Sequence, residues 1–85
     1  GTKIESLGNL KSVGESLELS ETKIKSLGDL ESVGDDLELF YSTIESLGNL
    51  KSVGQVVNLK GTPLSKKYTE EQIREMIEVG GKIYI

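Results

Sequence analysis

Around Leu17 the chain alternates apolar and polar residues, with Leu17 and Leu19 flanking Glu18. That alternation puts both leucines on one side of a short strand and the glutamate on the other. The spacing then changes. Ile24, Leu27, Leu30 and Val33 fall at every third position. A 3₁₀ turn brings i and i+3 onto one side, so this stretch is expected to be an irregular or 3₁₀-like return arc. Gly28 and Gly34, inside so short an arc, argue against an α-helix.

The pattern recurs every 20 residues: Ile4, Leu7, Gly8, Leu10, Val13 and Gly14 return as Ile24 to Gly34 and again as Ile44 to Gly54. A short fixed period predicts a solenoid, in which each coil buries its apolar side on its neighbours. The expected fold class is an α/β repeat solenoid with one parallel sheet of about four short strands. Arcs are expected at 1–14, 22–34 and 42–54, with strands near 16–20, 36–40, 56–60 and 82–85, all in one domain, 1–85. Gly8, Gly28 and Gly48 form one column, and Gly14, Gly34 and Gly54 another. Each column is expected to supply a positive φ or a close backbone approach at a corner. Thr2, Thr22, Ser42 and Thr62 follow the strands, where a hydroxyl can bond buried backbone groups.

The last coil departs from the period. Val79-Gly80-Gly81-Lys82-Ile83-Tyr84-Ile85 aligns with Val13 through Leu19, so Ile83 and Ile85 are expected to point inward. The longer arc before it carries Thr69-Glu70-Glu71-Gln72, a capping box, with Tyr68 and Ile73 placed for a hydrophobic staple. This predicts a C-terminal capping α-helix over 69–79, with Ile73, Met76 and Ile77 on its core face. Pro63 fits a turn before it.

The unit Leu-x-Leu-x-x-Thr-x-Ile-x-x-Leu resembles the leucine-rich repeat pattern over essentially the whole chain, and is similar to short bacterial and bacteriophage members of that family. Two features differ: Thr or Ser replaces the asparagine ladder, and the unit is short for the family. The resemblance implies protein recognition on the strand-bearing face, a function carried by analogy of fold.

Composition narrows the chemistry. The chain has 85 residues, no cysteine and no histidine, so disulfide and zinc frameworks are excluded and stacking must supply the stability. Fourteen acids against ten bases give a net charge of −4 with interspersed signs, which disfavours a nucleic-acid partner. No apolar run approaches the roughly 18 residues of a membrane span. A serine nucleophile has no histidine base, and paired carboxylates on an open face have no shelter to separate their pKa values. Catalysis and a cofactor are therefore not expected. Nothing indicates a compartment. Gly1 enters partway through a repeat, the expected mark of an excised or processed piece.

Function is expected where the copies differ. Ser16, Asp36, Val56 and Lys82 form one outward column, and Glu18, Glu38, Asn58 and Tyr84 the next; Ser20, Phe40 and Lys60 follow, beside Glu21, Tyr41 and Gly61. Phe40 and Tyr41, flanked by Asp36 and Glu38, form a candidate aromatic anchor for a partly basic protein. The candidate partner-binding set is Phe40, Tyr41, Glu38, Asp36, Glu18, Ser20, Asn58, Lys60 and Tyr84. A surface aromatic covering the next coil accounts for the same placement. Asp36, Glu38 and Glu18 also carry Ca²⁺-type oxygens, with solvated carboxylates as the plainer state. The strand at Leu17 offers an edge prone to pair with another copy, an alternative role as an assembly element. The near-identity of the arcs also fits an engineered scaffold with no selected partner.

Overall fold

A computed structural model describes residues 7–85. Thr2, and the part of the first expected arc that precedes residue 7, lie outside the described residues. Four units follow one another: 7–21, 22–41, 42–61 and 62–85. Each contributes two strands of two residues: β1 (Ser12–Val13) and β2 (Leu17–Glu18), β3 (Ser32–Val33) and β4 (Leu37–Glu38), β5 (Ser52–Val53) and β6 (Val57–Asn58). Unit 4 inserts α1 (Pro63–Lys67) and α2 (Glu70–Met76) before β7 (Glu78–Val79) and β8 (Ile83–Tyr84).

The strands make two parallel four-stranded sheets, β1-β3-β5-β7 and β2-β4-β6-β8, where the sequence suggested one. The expected sheet is the second, with Leu17, Leu37, Val57 and Ile83 as one row of register partners. The first sheet comes from the end of each arc. There Ser32 and Val33 pair with Ser12 and Val13 on one side and with Ser52 and Val53 on the other. Glycine permits this approach: a Cβ on Gly34 would strike the Gly14 carbonyl, and one on Gly54 the Gly34 carbonyl. Because the backbones lie so close, the amide of each glycine reaches the preceding unit. Gly34 N–H donates to Val13 O at 2.7 Å and Gly54 N–H to Val33 O at 2.9 Å.

The arcs do not wind into a 3₁₀ segment. Each has a single i, i+3 bond, Leu30 N to Leu27 O and Leu50 N to Leu47 O, both at 3.1 Å. Between those residues Gly28 and Gly48 adopt φ of +57° and +58°, the left-handed turn that the glycine column anticipates. Every third residue still points inward, so Ile24, Leu27, Leu30, Val33, Ile44, Leu47, Leu50 and Val53 join Leu37, Leu39, Val57, Leu59, Leu64, Ile73, Ile77 and Ile83 in one buried cluster. Thr22 and Thr62 donate their hydroxyls to Leu19 O and Leu59 O at 2.7 and 2.6 Å. Ser42, in the same column and without the threonine methyl, is buried with its hydroxyl unpartnered.

Unit 4 corrects four expectations. Pro63 opens a helix instead of a turn: Thr62 caps it, accepting from Ser65 N, and Pro stands in the first turn, where its missing N–H leaves no bond unmade. The capping helix is shorter than 69–79. The Thr69–Gln72 box is present, but Ile77 leaves the helix at φ −140°. Glu78 and Val79 are then taken as the last strand of the first sheet, paired with Ser52 and Val53. Met76 is 44% exposed rather than core, as the last helical residue beside buried Ile73 and Ile77. Ile85 is 41% exposed, whereas Leu19, Leu39 and Leu59 of its column are buried. It follows β8, and among the described residues no later unit lies against it.

Candidate interaction surface

Strand alternation fixes the surface. With Leu17, Leu37, Val57 and Ile83 turned toward the core, Glu18, Glu38, Asn58 and Tyr84 stand outward as register partners, about 4.8 Å apart. Two of them turn back on their own strand: Glu18 Oε1 accepts from Ser20 N at 2.8 Å, and Asn58 Oδ1 from Lys60 N at 3.2 Å. Glu38 is half-buried, and its carboxyl is raised above the ordinary 4.5, first by burial, then by Glu18; Asn58 counters by hydrogen bonding, and Asp36 adds a smaller upward push.

The flanking column is occupied internally. Ser16 Oγ accepts from Asp36 N at 3.2 Å, and Asp36 Oδ1 accepts from Val56 N at 3.1 Å. Asp36 therefore holds the next unit's amide with one oxygen of its carboxylate. The Asp36, Glu38 and Glu18 set makes no cation cradle: among the described residues no group of three or more metal-ligating side chains is found.

At the end of the strands Ser20, Phe40 and Lys60 follow one another in successive units. Phe40 is half-buried, and the Ser20 hydroxyl is enclosed without a partner. Lys60 Nζ lies 5.9 Å from the centre of the Tyr84 ring, a cation–π contact that joins two candidate residues. One position further the backbone turns left-handed in three units: Glu21 at φ 59°, Tyr41 at 58° and Gly61 at 71°. The turn serves the ladder, with Glu21 N–H bonded to Phe40 O at 2.9 Å and Tyr41 N–H to Lys60 O at 2.7 Å.

Tyr41 is 67% exposed. Its ring meets Phe40 edge-on, 5.8 Å between centres and 84° between planes. It also lies over Gly61, where an added Cβ would collide with ring carbons Cδ1 and Cε1. The aromatic thus partly covers the following unit, as the plainer sequence reading has it, yet leaves most of itself in solvent. Phe40, Tyr41, Glu38 and Asp36 are gathered in unit 2, with Ser20 and Glu18 in the preceding unit and Asn58 and Lys60 in the following one. Tyr84 joins through Lys60.

Sequence reasoning missed a groove on the other sheet. A groove of about 630 Å³ runs along the first sheet, lined by Ser32, Ser52, Glu78 and the bare backbone of Gly34 and Gly54 among others. Its signal was present, since a column of residues without side chains leaves a trough. Among the described residues Glu78 is the one ionisable side chain on its walls, and a single carboxylate supplies no pair for acid–base or nucleophilic chemistry. No helix among the described residues is long and apolar enough to cross a membrane. Comparisons of the chain with protein-family models, with curated proteins and with solved structures gave no match.

Proposed function

We propose that the chain is a leucine-rich-repeat-type solenoid acting as a protein-docking module, and that the outward face of the β2-β4-β6-β8 sheet is the docking surface. The twenty-residue register in both sheets supports the repeat reading. The observation that carries the docking reading is Tyr41. A left-handed non-glycine residue costs about 1 kcal/mol or more, and Gly61 meets the same turn without that cost. Packing therefore does not call for a large aromatic here, and the ring, pre-positioned by Phe40 and Gly61, is a low-entropy anchor. The acidic side chains beside it, Glu38 and Glu18, favour a partner with a basic patch. The role is binding and not catalysis, with no cofactor; a net charge of −4 and the mixed signs point away from nucleic acid.

The test uses a partner captured on the immobilised chain and titrated against variants. Tyr41→Gly removes the ring while suiting the backbone, and Phe40→Ser removes its support. Each is expected to weaken binding by about tenfold or more, the scale of an interface hot spot. Glu21→Gly gives the same backbone relief one unit earlier and should leave affinity unchanged. Equal affinity for Tyr41→Gly, Phe40→Ser and the parent chain would refute the anchor.

A second reading, self-association through the first unit, is favoured by one observation: Leu10 is 40% exposed while Leu30 and Leu50 of its column are 0% and 5%. Pairing of two such faces about a two-fold axis closes at a dimer.

A further inference from the structure

The hydrogen-bond series that ties each unit to the next ends on a side chain. Val13 O accepts from Gly34 N at 2.7 Å, Val33 O from Gly54 N at 2.9 Å and Val53 O from Gly80 N at 3.0 Å. The next carbonyl in the row, Val79 O, accepts from Arg74 Nη1 at 3.3 Å. A parallel row behaves alike. Glu15 O accepts from Asp35 N, Asp35 O from Gln55 N and Gln55 O from Gly81 N, at 3.2, 3.0 and 2.7 Å. Gly81 O then accepts from Arg74 Nη2 at 2.8 Å. The planar guanidinium thus takes the places of two amides that a fifth unit would supply, and Glu70 Oε2 holds its Nε at 3.2 Å from the helix turn before.

We propose that Arg74 is a seal on the last unit, and that the surface it closes fits the first unit of a second copy of this chain, docked head to tail. Continuation of the ladder names the contacts. Gly14 and Glu15 of the incoming copy are the counterparts of Gly34 and Asp35, so their N–H groups match Val79 O and Gly81 O. The other sheet matches with the opposite polarity. Leu17 N donates to Asp36 O, Leu37 N to Val56 O and Val57 N to Lys82 O, so Ile83 N–H faces Ser16 O of the copy, and Ile85 N–H faces Glu18 O. Charge agrees: exposed Lys82 on the last unit meets Glu15 and Glu18, exposed on the first. Apolar surface agrees too, because Leu10 is exposed and Val13 and Leu17 are only half-buried where a preceding unit would cover them. A heterologous contact of this kind does not close on itself and grows into a filament. Arg74 prevents that growth in the same way as other charged guards on sheet edges. This inference is independent of the Tyr41 surface.

Sedimentation equilibrium over a wide concentration range tests it on the full chain. The parent chain should stay at the 9.2 kDa of one chain or level off at a two-fold dimer. Arg74→Met should pass the dimer and keep rising, to at least about threefold the single-chain mass. Adding Leu10→Lys places a charge in the head-to-tail contact and should hold that variant at or below the mass of a dimer. A folded R74M whose mass never exceeds the parent's, or R74M assemblies indifferent to Leu10→Lys, would overturn the proposal. If circular dichroism shows R74M unfolded, Glu70→Ala decides. It leaves the guanidinium in place but removes the oxygen that orients it, and should assemble in the same manner to a smaller extent; a folded E70A with the parent's mass also overturns the seal.

Discussion

In unit 1 Leu19 is buried, but the other side chains that face the stack are only partly covered: Leu7, Val13 and Leu17 are half-buried and Leu10 is exposed. In unit 4 Val79, the counterpart of Val13, is half-buried as well, but the rest of the core face is better covered. Leu64, Ile73, Ile77 and Ile83 are all buried, although no unit follows among the described residues. Two short helices, each started by a threonine cap, make the difference. They place Leu64 and Ile73 where the twenty-residue arc of the inner units would place only its own leucines. A repeat that cannot bury its face against a neighbour must bury it against something else, and six additional residues in the arc are enough to do so.

The largest expected effect sets these ends directly against each other. Ile73→Ala should cost about 3 kcal/mol, because a fully buried side chain leaves a cavity. That is a large share of the stability of a domain this size. Leu10→Ala should cost under about 1 kcal/mol, since much of that side chain is already in water. Urea unfolding of the two variants gives both numbers. Similar losses would mean that the first unit is covered after all.

A second comparison sharpens the first within one glycine column. Gly54→Ala drives a methyl into the Gly34 carbonyl and should destabilise by about 2–3 kcal/mol, the range for overpacking. A Cβ at Gly14 meets nothing within 4 Å. Gly14→Ala should therefore be neutral, or stabilise by about 0.5 kcal/mol through the unfolded chain. The midpoints should move in opposite directions or, at the least, by very different amounts. A shared shift would show that the column tolerates side chains and that the sheet spacing is looser than the ladder distances indicate.

What was legible beforehand follows the same division. Period alone placed residue i beside i+20, and strand alternation then turned Glu18, Glu38, Asn58 and Tyr84 outward together. Both signals are repeated in several units, so a single odd residue does not mask them. The first sheet was hidden because Ser12–Val13, Ser32–Val33 and Ser52–Val53 are each followed at once by a glycine, so no second apolar residue completes an alternation as Leu19 does beyond β2. Helix α1 has five residues and one buried side chain, which carries no helical period. Met76 and Ile85 were misplaced for a different reason: each matches an inward position locally, but its exposure depends on neighbours at the last unit. The candidate surface was legible as columns, while the use of Asp36 as an acceptor for Val56 N and the seat of Tyr41 on Gly61 needed the three-dimensional register.

Glu38 gives the smallest effect and bears on the difference between inner and outer units. It stands between neighbours on both sides, in register with Glu18 and Asn58. Burial, followed by repulsion from Glu18, lifts its carboxyl above 4.5 in the folded state. The folded protein therefore holds this proton more tightly than the unfolded chain does. The group's contribution is fully present below the unfolded value and is lost as pH rises through the folded value. At neutral pH the folded protein carries the whole penalty of a charged Glu38. Glu38→Gln keeps an oxygen that can accept from Asn58 but carries no charge, so it should raise stability at neutral pH. That advantage should shrink as pH falls through the raised folded value and vanish once the folded and unfolded chains both hold the proton. Paired urea titrations of the two proteins across that range measure the gap, and carboxylates remote from Glu38 cancel in the difference. A gap that stays constant with pH would mean that Glu38 is as well hydrated as an exposed residue, and that stacking of the units does not dry the strand face.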